Sequence, residues 1–419
     1  MPRCDAGVLP RAAPSRRLVS AGSVYHRGVP SPLSASWSRR ELLRAVGGLA
    51  IGAGAWQATG TLLSAQAVTK DHRLIVHSDR PIDYETPPEL LDPYLTPVES
   101  FFVRSHMTTP TIDAAAWRLA IDGDVTGPAE ISLDDLRRLP AVSVVATLEC
   151  AGNGRAFFDP PVAGIQWRRG AVGTARWTGV PLSHLLRRAG IRAGAAHVWA
   201  SGADRPFGAQ PPFVRNLPIA KALDEHTLVA YAMNDRPLLR EHGFPARLVV
   251  PGWEGAYSVK WLSRLTAAPA VSDSFWVASA YRYPVRRVAP GAAVPPEQMA
   301  PLSGLAVKSL ITRPVEGAVI APGRVEVGGF AWAGGSAIAR VDVSTDGGGT
   351  WRQARLTGPQ DRYAWRRFEY AFTVGQAEAR AILSRATDAA GNSQPIVPAW
   401  NPAGYLWNAP DVVRIEVRS

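Results

Sequence analysis

Residues 142–155 run Val142-Ser143-Val144-Val145-Ala146-Thr147-Leu148 and then Glu149-Cys150-Ala151-Gly152-Asn153-Gly154-Arg155. The first half is apolar and rich in β-branched residues, the composition of a buried strand, and the second turns on two glycines and an asparagine. A strand that stops in such a turn presents its last side chains where backbone can approach a bound group closely. Here the side chain presented is a thiol. A soft thiolate suits a soft, high-valent metal centre, and Arg155, five residues on, supplies a cation that favours the thiolate and offers an anion contact. Taken alone, a cysteine in a turn is more often simply a small buried residue.

Outward from this stretch, residues 70–289 mix short apolar alternations with a few helical segments. Ser132–Leu139 opens with a cap-like Ser132 three residues ahead of Asp135 and places Leu133, Leu136 and Leu139 at helical spacing. Pro181–Ala189 sets Leu182, Leu185 and Leu186 on one side and stops at Gly190. Ala246–Val250 and Val271–Ala278 read as strands. The composition then changes to Ala-Pro-Gly-Ala-Ala-Val-Pro-Pro within 289–304, where a domain boundary is expected. Beyond it Arg324–Phe330, Ala339–Ser344, Ala364–Val374 and Ala381–Thr387 alternate. They are punctuated by turns at Asp346-Gly347-Gly348-Gly349 and at 388–392, the pattern of an immunoglobulin-like β-sandwich. The fold class is therefore α+β and β-rich, with 38 Gly and 36 Pro supplying the turns.

The chain of 419 residues carries 46% hydrophobic residues and 14 Trp, enough apolar surface for two or three domains without disulfide staples. Its formal charge of +11 is concentrated at the start, where residues 1–67 hold eight Arg against Asp5 and Glu41. The remainder is only mildly basic, and no aromatic-interleaved basic stripe or zinc-finger spacing accompanies it. That argues against nucleic acid and for a small anion as partner.

Ser38-Arg39-Arg40-Glu41-Leu42-Leu43, a weakly hydrophobic run from Ala45 to Leu63 and Ala65-Gln66-Ala67 together describe a twin-arginine export signal over residues 1–67. The run is short and broken by Gly, so no stable membrane anchor is expected. This route carries proteins folded in the cytoplasm, often around a cofactor, and predicts a periplasmic location. Cleavage after Ala67 removes Cys4 and leaves Cys150 as the single remaining cysteine, so no intrachain disulfide forms in a compartment that permits one.

Seven strings follow one another in order: Phe101-Phe102-Val103-Arg104-Ser105-His106, Cys150-Ala151-Gly152-Asn153, Gly173 to Leu182, Ala230-Tyr231-Ala232-Met233-Asn234, His242-Gly243-Phe244-Pro245-Ala246-Arg247, Val250-Pro251-Gly252-Trp253 and Ser258-Val259-Lys260-Trp261-Leu262. Together they resemble the sulfite oxidase family of molybdopterin oxidoreductases, in its bacterial periplasmic sulfite dehydrogenase form. The resemblance covers nearly all of the chain after the signal. It implies a mixed α+β molybdopterin domain over residues 70–295 and an immunoglobulin-like, dimerisation-type domain over 305–419. It implies a molybdenum–molybdopterin cofactor with Cys150 as the protein ligand to the metal. Phe102, Val103, Arg104, Ser105, His106, Asp204, His242, Arg247, Ser258, Val259 and Lys260 are the residues it assigns to holding the pterin and its phosphate. Buried phosphate asks for such donors.

By the same resemblance Arg104, Arg155, Trp167 and Tyr231 line the substrate pocket as its catalytic residues. Two guanidinium groups suit a small oxyanion. The implied activity is oxidation of sulfite to sulfate by oxygen-atom transfer, with electrons passed to a separate c-type cytochrome, because the chain carries neither a Cys-x-x-Cys-His haem site nor a haem domain. The chain departs from the family at Trp400-Asn401-Pro402-Ala403-Gly404, where Ala403 replaces an arginine of the animal enzymes. Arg362 and Arg366 are possible substitutes. The departure keeps open a related enzyme acting on protein-bound sulfane sulfur, a sulfoxide or another oxyanion. A homodimer and a heterodimer with a haem subunit are both compatible with the sequence, as is a cofactor-free binding protein from a different class.

Overall fold

A computed structural model describes residues 69–418. The expected export signal, residues 1–67, lies outside them. The strand read around Val142 forms as Val142–Glu149 and pairs antiparallel along its full length with Val172–Pro181. These two strands continue through Leu228–Met233 to Arg236–Pro237, and Arg247–Val249 pairs with Leu228–Met233, making a five-stranded sheet. A second five-stranded sheet runs in the order Ala129–Ser132, Arg118–Gly123, Leu262–Ala268, His197–Gly202 and Val214–Pro218. Its pairing of Leu262–Ala268 with Arg118–Gly123 is parallel and the others are antiparallel.

Both expected helices form, as Leu133–Arg138 and Leu182–Arg188. In the first, Ser132 Oγ accepts from Asp135 N at 3.1 Å and the Asp135 carboxylate accepts from Ser132 N at 3.3 Å, a reciprocal capping box. The second ends at Gly190, whose φ of +68° is the left-handed cap that glycine adopts at no steric cost. The strand expected over Val271–Ala278 does not form: the segment is irregular as far as Ser274 and then makes a helical turn, Phe275–Ala278. Its apolar run buries Trp276 and Val277 at adjacent positions while Phe275 stays 48% exposed, which strict alternation does not allow.

From Lys308 on, two sheets face each other. One is ordered Lys308–Arg313, Gly323–Trp332, Arg366–Val374, Arg355–Thr357; the other Ala318–Ile320, Asp411–Val417, Glu378–Asp388, Ile338–Ser344, Arg352–Gln353. Their inner faces pack Val325, Val341, Phe368, Ile382 and Val413 into one core, as a β-sandwich requires. The segment ahead of it is closed by Arg282–Pro284 pairing with Met299–Pro301. A further core joins Leu91 and Val172 to Leu310, Phe330, Trp332 and Trp365 of the sandwich. Among the described residues no helix is long and apolar enough to cross a membrane.

Candidate active site

Cys150 follows the last residue of the strand Val142–Glu149, and its backbone is held on both sides. Its N–H donates to Ala171 O at 2.9 Å, and its carbonyl accepts from Asn153 N at 2.8 Å. Glu149 anchors the turn from beneath. Its carboxylate accepts from Lys308 Nζ at 2.5 Å, Asn153 Nδ2 at 2.9 Å and Trp332 Nε1 at 2.8 Å, so two sandwich residues grip the strand end that presents the thiol. Gly154 has φ +93°, and a Cβ there would meet Trp407, so the turn depends on glycine. The thiol is half-buried and opens into a cavity. Burial raises its pKa, and the Arg104 and Arg155 guanidinium groups offset only part of that rise.

Every residue assigned to cofactor holding, from Phe102 to His106, Cys150, Asp204, His242, Arg247 and Ser258 to Lys260, lines this one cavity. Its lining combines the Cys150 thiol with the cationic donors Arg104, Arg247 and Lys260. Arg247 donates to Ser258 O at 2.8 Å and to His242 O at 3.0 Å and lies 5.0 Å from the Trp177 ring. Burial lowers its pKa to about 9. Lys260 Nζ donates to Ser105 Oγ and to Glu241 O, both at 2.9 Å, and sits 4.2 Å over Trp261. Burial lowers it to about 7. Cations drawn down by desolvation gain most from a bound anion. A Cβ at Gly202 would fall 2.6 Å from Asp204 Oδ1 and from Lys260 O, so the Asp204 wall also relies on a missing side chain. This donor set fits a group carrying a thiolate-seeking metal at one end and a phosphate at the other.

A second hollow shares Arg104, His106, Cys150 and Tyr281 with the first and adds Arg155, Gln210, Ala403 and Tyr405. Arg104 donates to Asp83 Oδ1 at 3.1 Å and to the Ser105 carbonyl. Arg155 donates from Nε to Ala403 O at 3.2 Å and from Nη1 to Ile165 O at 3.0 Å, and stands 5.3 Å from the Tyr405 ring. Cβ atoms at Gly152, Gly164 or Gly404 would each come within 3.0 Å of the Arg155 side chain. Three glycines therefore open the slot this arginine threads. Ala403, which stands where an arginine was expected, contributes its carbonyl as a fixed acceptor for Arg155.

Two assignments are corrected. Tyr231 does not reach either hollow. The strand Leu228–Met233 slips register against Val172–Pro181 between Ala230 and Ala232, and Tyr231 lies at that irregularity, 5.9 Å from Arg137. The tyrosine at the site is Tyr281. Its hydroxyl lies 2.5 Å from His106 Nε2, and its ring stacks on Tyr405 with 5.6 Å between centroids. Burial raises the Tyr281 pKa far above the ordinary value and drives that of His106 well down, so Tyr281 keeps its proton and the neutral imidazole accepts it. Trp167 is also displaced from the expected wall. It is fully buried, edge-on to His77 at 4.7 Å, and lines neither hollow. Arg362 and Arg366 lie elsewhere, Arg362 against Tyr363 and Arg366 on the Gly358 and Pro359 carbonyls.

The Tyr281 backbone is held at φ +53° and that of Trp261 at +51°, a conformation that costs a non-glycine residue about 1–3 kcal/mol and clusters at functional sites. Tyr281 and Tyr405 carry no motif of their own in the sequence, and only their place beside Arg104 and Arg155 marks them.

The profile described as "Oxidoreductase molybdopterin binding domain" matches residues 106–276, and that of the "Mo-co oxidoreductase dimerisation domain" matches 300–418. The chain is 39% identical over 364 residues to mitochondrial sulfite oxidase of Mus musculus, covering 82% of this chain and 66% of that protein. It is 39% identical over 367 residues to sulfite oxidase of Gallus gallus, covering 80% and 76%. It thus spans about two thirds of the length of the mouse relative. Among solved structures, the sulfane dehydrogenase SoxCD from Paracoccus pantotrophus superposes with a TM-score of 0.71 at 29% identity, covering 86% of this chain and 92% of that one.

Proposed function

Because the chain belongs to the sulfite oxidase family of molybdopterin oxidoreductases, we propose that it oxidises sulfite to sulfate by oxygen-atom transfer and passes the electrons to a separate acceptor such as a c-type cytochrome. One observation carries this reading: Arg104, Arg155 and the Tyr281 hydroxyl converge with the Cys150 thiol on a single hollow. When bound, the molybdenum cofactor supplies the oxygen-atom and two-electron chemistry, with Cys150 as its protein ligand. The pterin and its phosphate would rest on Phe102 to His106, His242, Arg247 and Lys260.

The chain's own residues do the rest. Arg155, threaded past three glycines and tied to two carbonyls, offers its remaining guanidinium N–H groups to the oxygens of an anion. Arg104 is partly neutralised by Asp83, which restrains its affinity for the doubly charged product. The one hydroxyl proton of Tyr281, given to His106 Nε2 in this structure, is available to turn to a bound oxyanion.

A second substrate is favoured by Ala403, which leaves the hollow one arginine short, and by the likeness to a protein titled sulfane dehydrogenase. Protein-bound sulfane sulfur is that substrate. Export to the periplasm by the twin-arginine route is part of the proposal, as is pairing through residues 300–418 with a second copy or with a haem subunit.

The test is turnover of purified protein with sulfite and ferricyanide, beside metal analysis. About one molybdenum per chain and sulfite-dependent reduction are expected, with Cys150→Ser inactive. Full turnover by that variant would sink the assignment of the metal ligand, and turnover restricted to a sulfane-bearing carrier would select the second substrate.

A further inference from the structure

Lys70 lies outside the cavity wall, yet its amine meets three acceptors: Val98 O at 2.7 Å, Phe101 O at 2.6 Å and His242 Nε2 at 3.1 Å. An ammonium has three hydrogens and no lone pair. Three acceptors therefore use every hydrogen it has, whereas a neutral amine would set its lone pair against one of them. Burial lowers the amine's pKa to about 7, and the nearby carboxylates of Glu241, Glu99 and Asp71 hold it from falling further, so the ammonium is the form present below about neutral pH.

His242 is buried, and its pKa is driven well down, first by desolvation and then by Lys70, Lys260 and Arg247. A neutral imidazole carries one N–H, and the partner of one nitrogen decides which nitrogen bears it. Nε2 also lies 3.3 Å from Val98 O, a contact it would make as a donor. That contact is the longer of the two, and a hydrogen on Nε2 would confront the ammonium hydrogen that reaches Nε2 at 3.1 Å. Nε2 is thus the acceptor and Nδ1 carries the hydrogen. Among the described residues Nδ1 has no protein partner, and His242 lines the cofactor cavity.

We propose that Lys70 is a positioning residue for the cofactor: its ammonium locks His242 in the Nδ1–H tautomer, so that the ring presents an N–H donor to an acceptor atom of the group in the cavity. The inference rests on the reading of this cavity as a pterin site. The same ammonium also pins the carbonyl of Phe101, the residue directly before the Phe102–His106 wall. One cation thereby sets two walls, and Phe101, edge-on to the His242 ring at 5.6 Å, fills the space between them.

The experiment is long-range ¹⁵N–¹H correlation on oxidised, cofactor-loaded protein labelled at histidine, with His242→Gln assigning the signal. His242 is expected with Nδ1 protonated and Nε2 bare. A protonated Nε2, or a doubly protonated ring, overturns the proposal without recourse to any variant. Lys70→Met is expected to lose the pinned pattern and to retain several-fold less pterin per folded chain after dialysis, read by fluorescence of the released pterin, and Lys70→Arg to restore both. A folded Lys70→Met protein with the wild-type signal and wild-type retention also overturns it; should that variant not fold, the wild-type spectrum decides. Wild-type protein without pterin but with the Nδ1–H pattern would defeat the cofactor reading alone.

Discussion

Tyr281 and Tyr231 separate what a residue's neighbours in sequence reveal from what its neighbours in space decide. Tyr231 sits in one of the strings that carry the resemblance, and Tyr281 sits in Ala280-Tyr281-Arg282-Tyr283, outside all of them. Yet Tyr281 meets His106 and lies within the field of Arg104 and Cys150, whereas Tyr231 packs near Arg137. A hydrogen bond to a charged group contributes about 1.5–3 kcal/mol. Tyr281→Phe is therefore expected to lower kcat/KM for sulfite by roughly ten- to a hundred-fold, with Tyr231→Phe within about twofold of wild type. Steady-state kinetics on the two variants checks this, and the reverse order would return the role to Tyr231. The residues assigned to the cofactor, Asp204 apart, each fall within a contiguous string, as in Ser258-Val259-Lys260.

Among elements, the strand Ile82–Glu85 does more than its four residues suggest. Its last side chain, buried Glu85, accepts from the N–H groups of Arg168, Arg169 and Gly170 at 2.8–3.0 Å and meets His77 Nε2 at 2.7 Å. The segment so clamped continues to Ala171, whose carbonyl receives the Cys150 N–H. Glu85→Gln keeps the shape but exchanges charge-assisted bonds for neutral ones and sets an NH₂ among donors. A loss of about 2 kcal/mol is expected, seen as a lower urea midpoint at unchanged slope; an unmoved midpoint would show that the clamp is not needed. The helices were readable from capping and spacing, which are local. Val271–Ala278 was misread because a short apolar run has no period of its own, and the partners of Trp276, namely His106, Phe213 and the Pro211 carbonyl, are far along the chain.

For the whole molecule, the decisive contact crosses from the sandwich to the turn that carries Cys150. Lys308 and Trp332 hold Glu149 in a buried cluster next to Cys150. Lys308→Met leaves a buried carboxylate without its cation, a change that costs about 3–5 kcal/mol, whereas replacing both partners is far milder. Chemical denaturation of Lys308→Met, Glu149→Gln and the double variant is expected to show the double more stable than Lys308→Met; a strictly additive loss would remove the coupling between the two halves. By itself the amino-acid sequence determined the strand, the glycine turn with its thiol, and the helices with their caps, because each is written in residues close together along the chain. Only the tertiary structure decided which tyrosine meets His106 and stands beside Arg104 and Cys150, that Ala403 serves Arg155 through its carbonyl, and that Lys70 reaches His242. These contacts join residues 175, 248 and 172 positions apart, and no local pattern encodes a pairing over such distances.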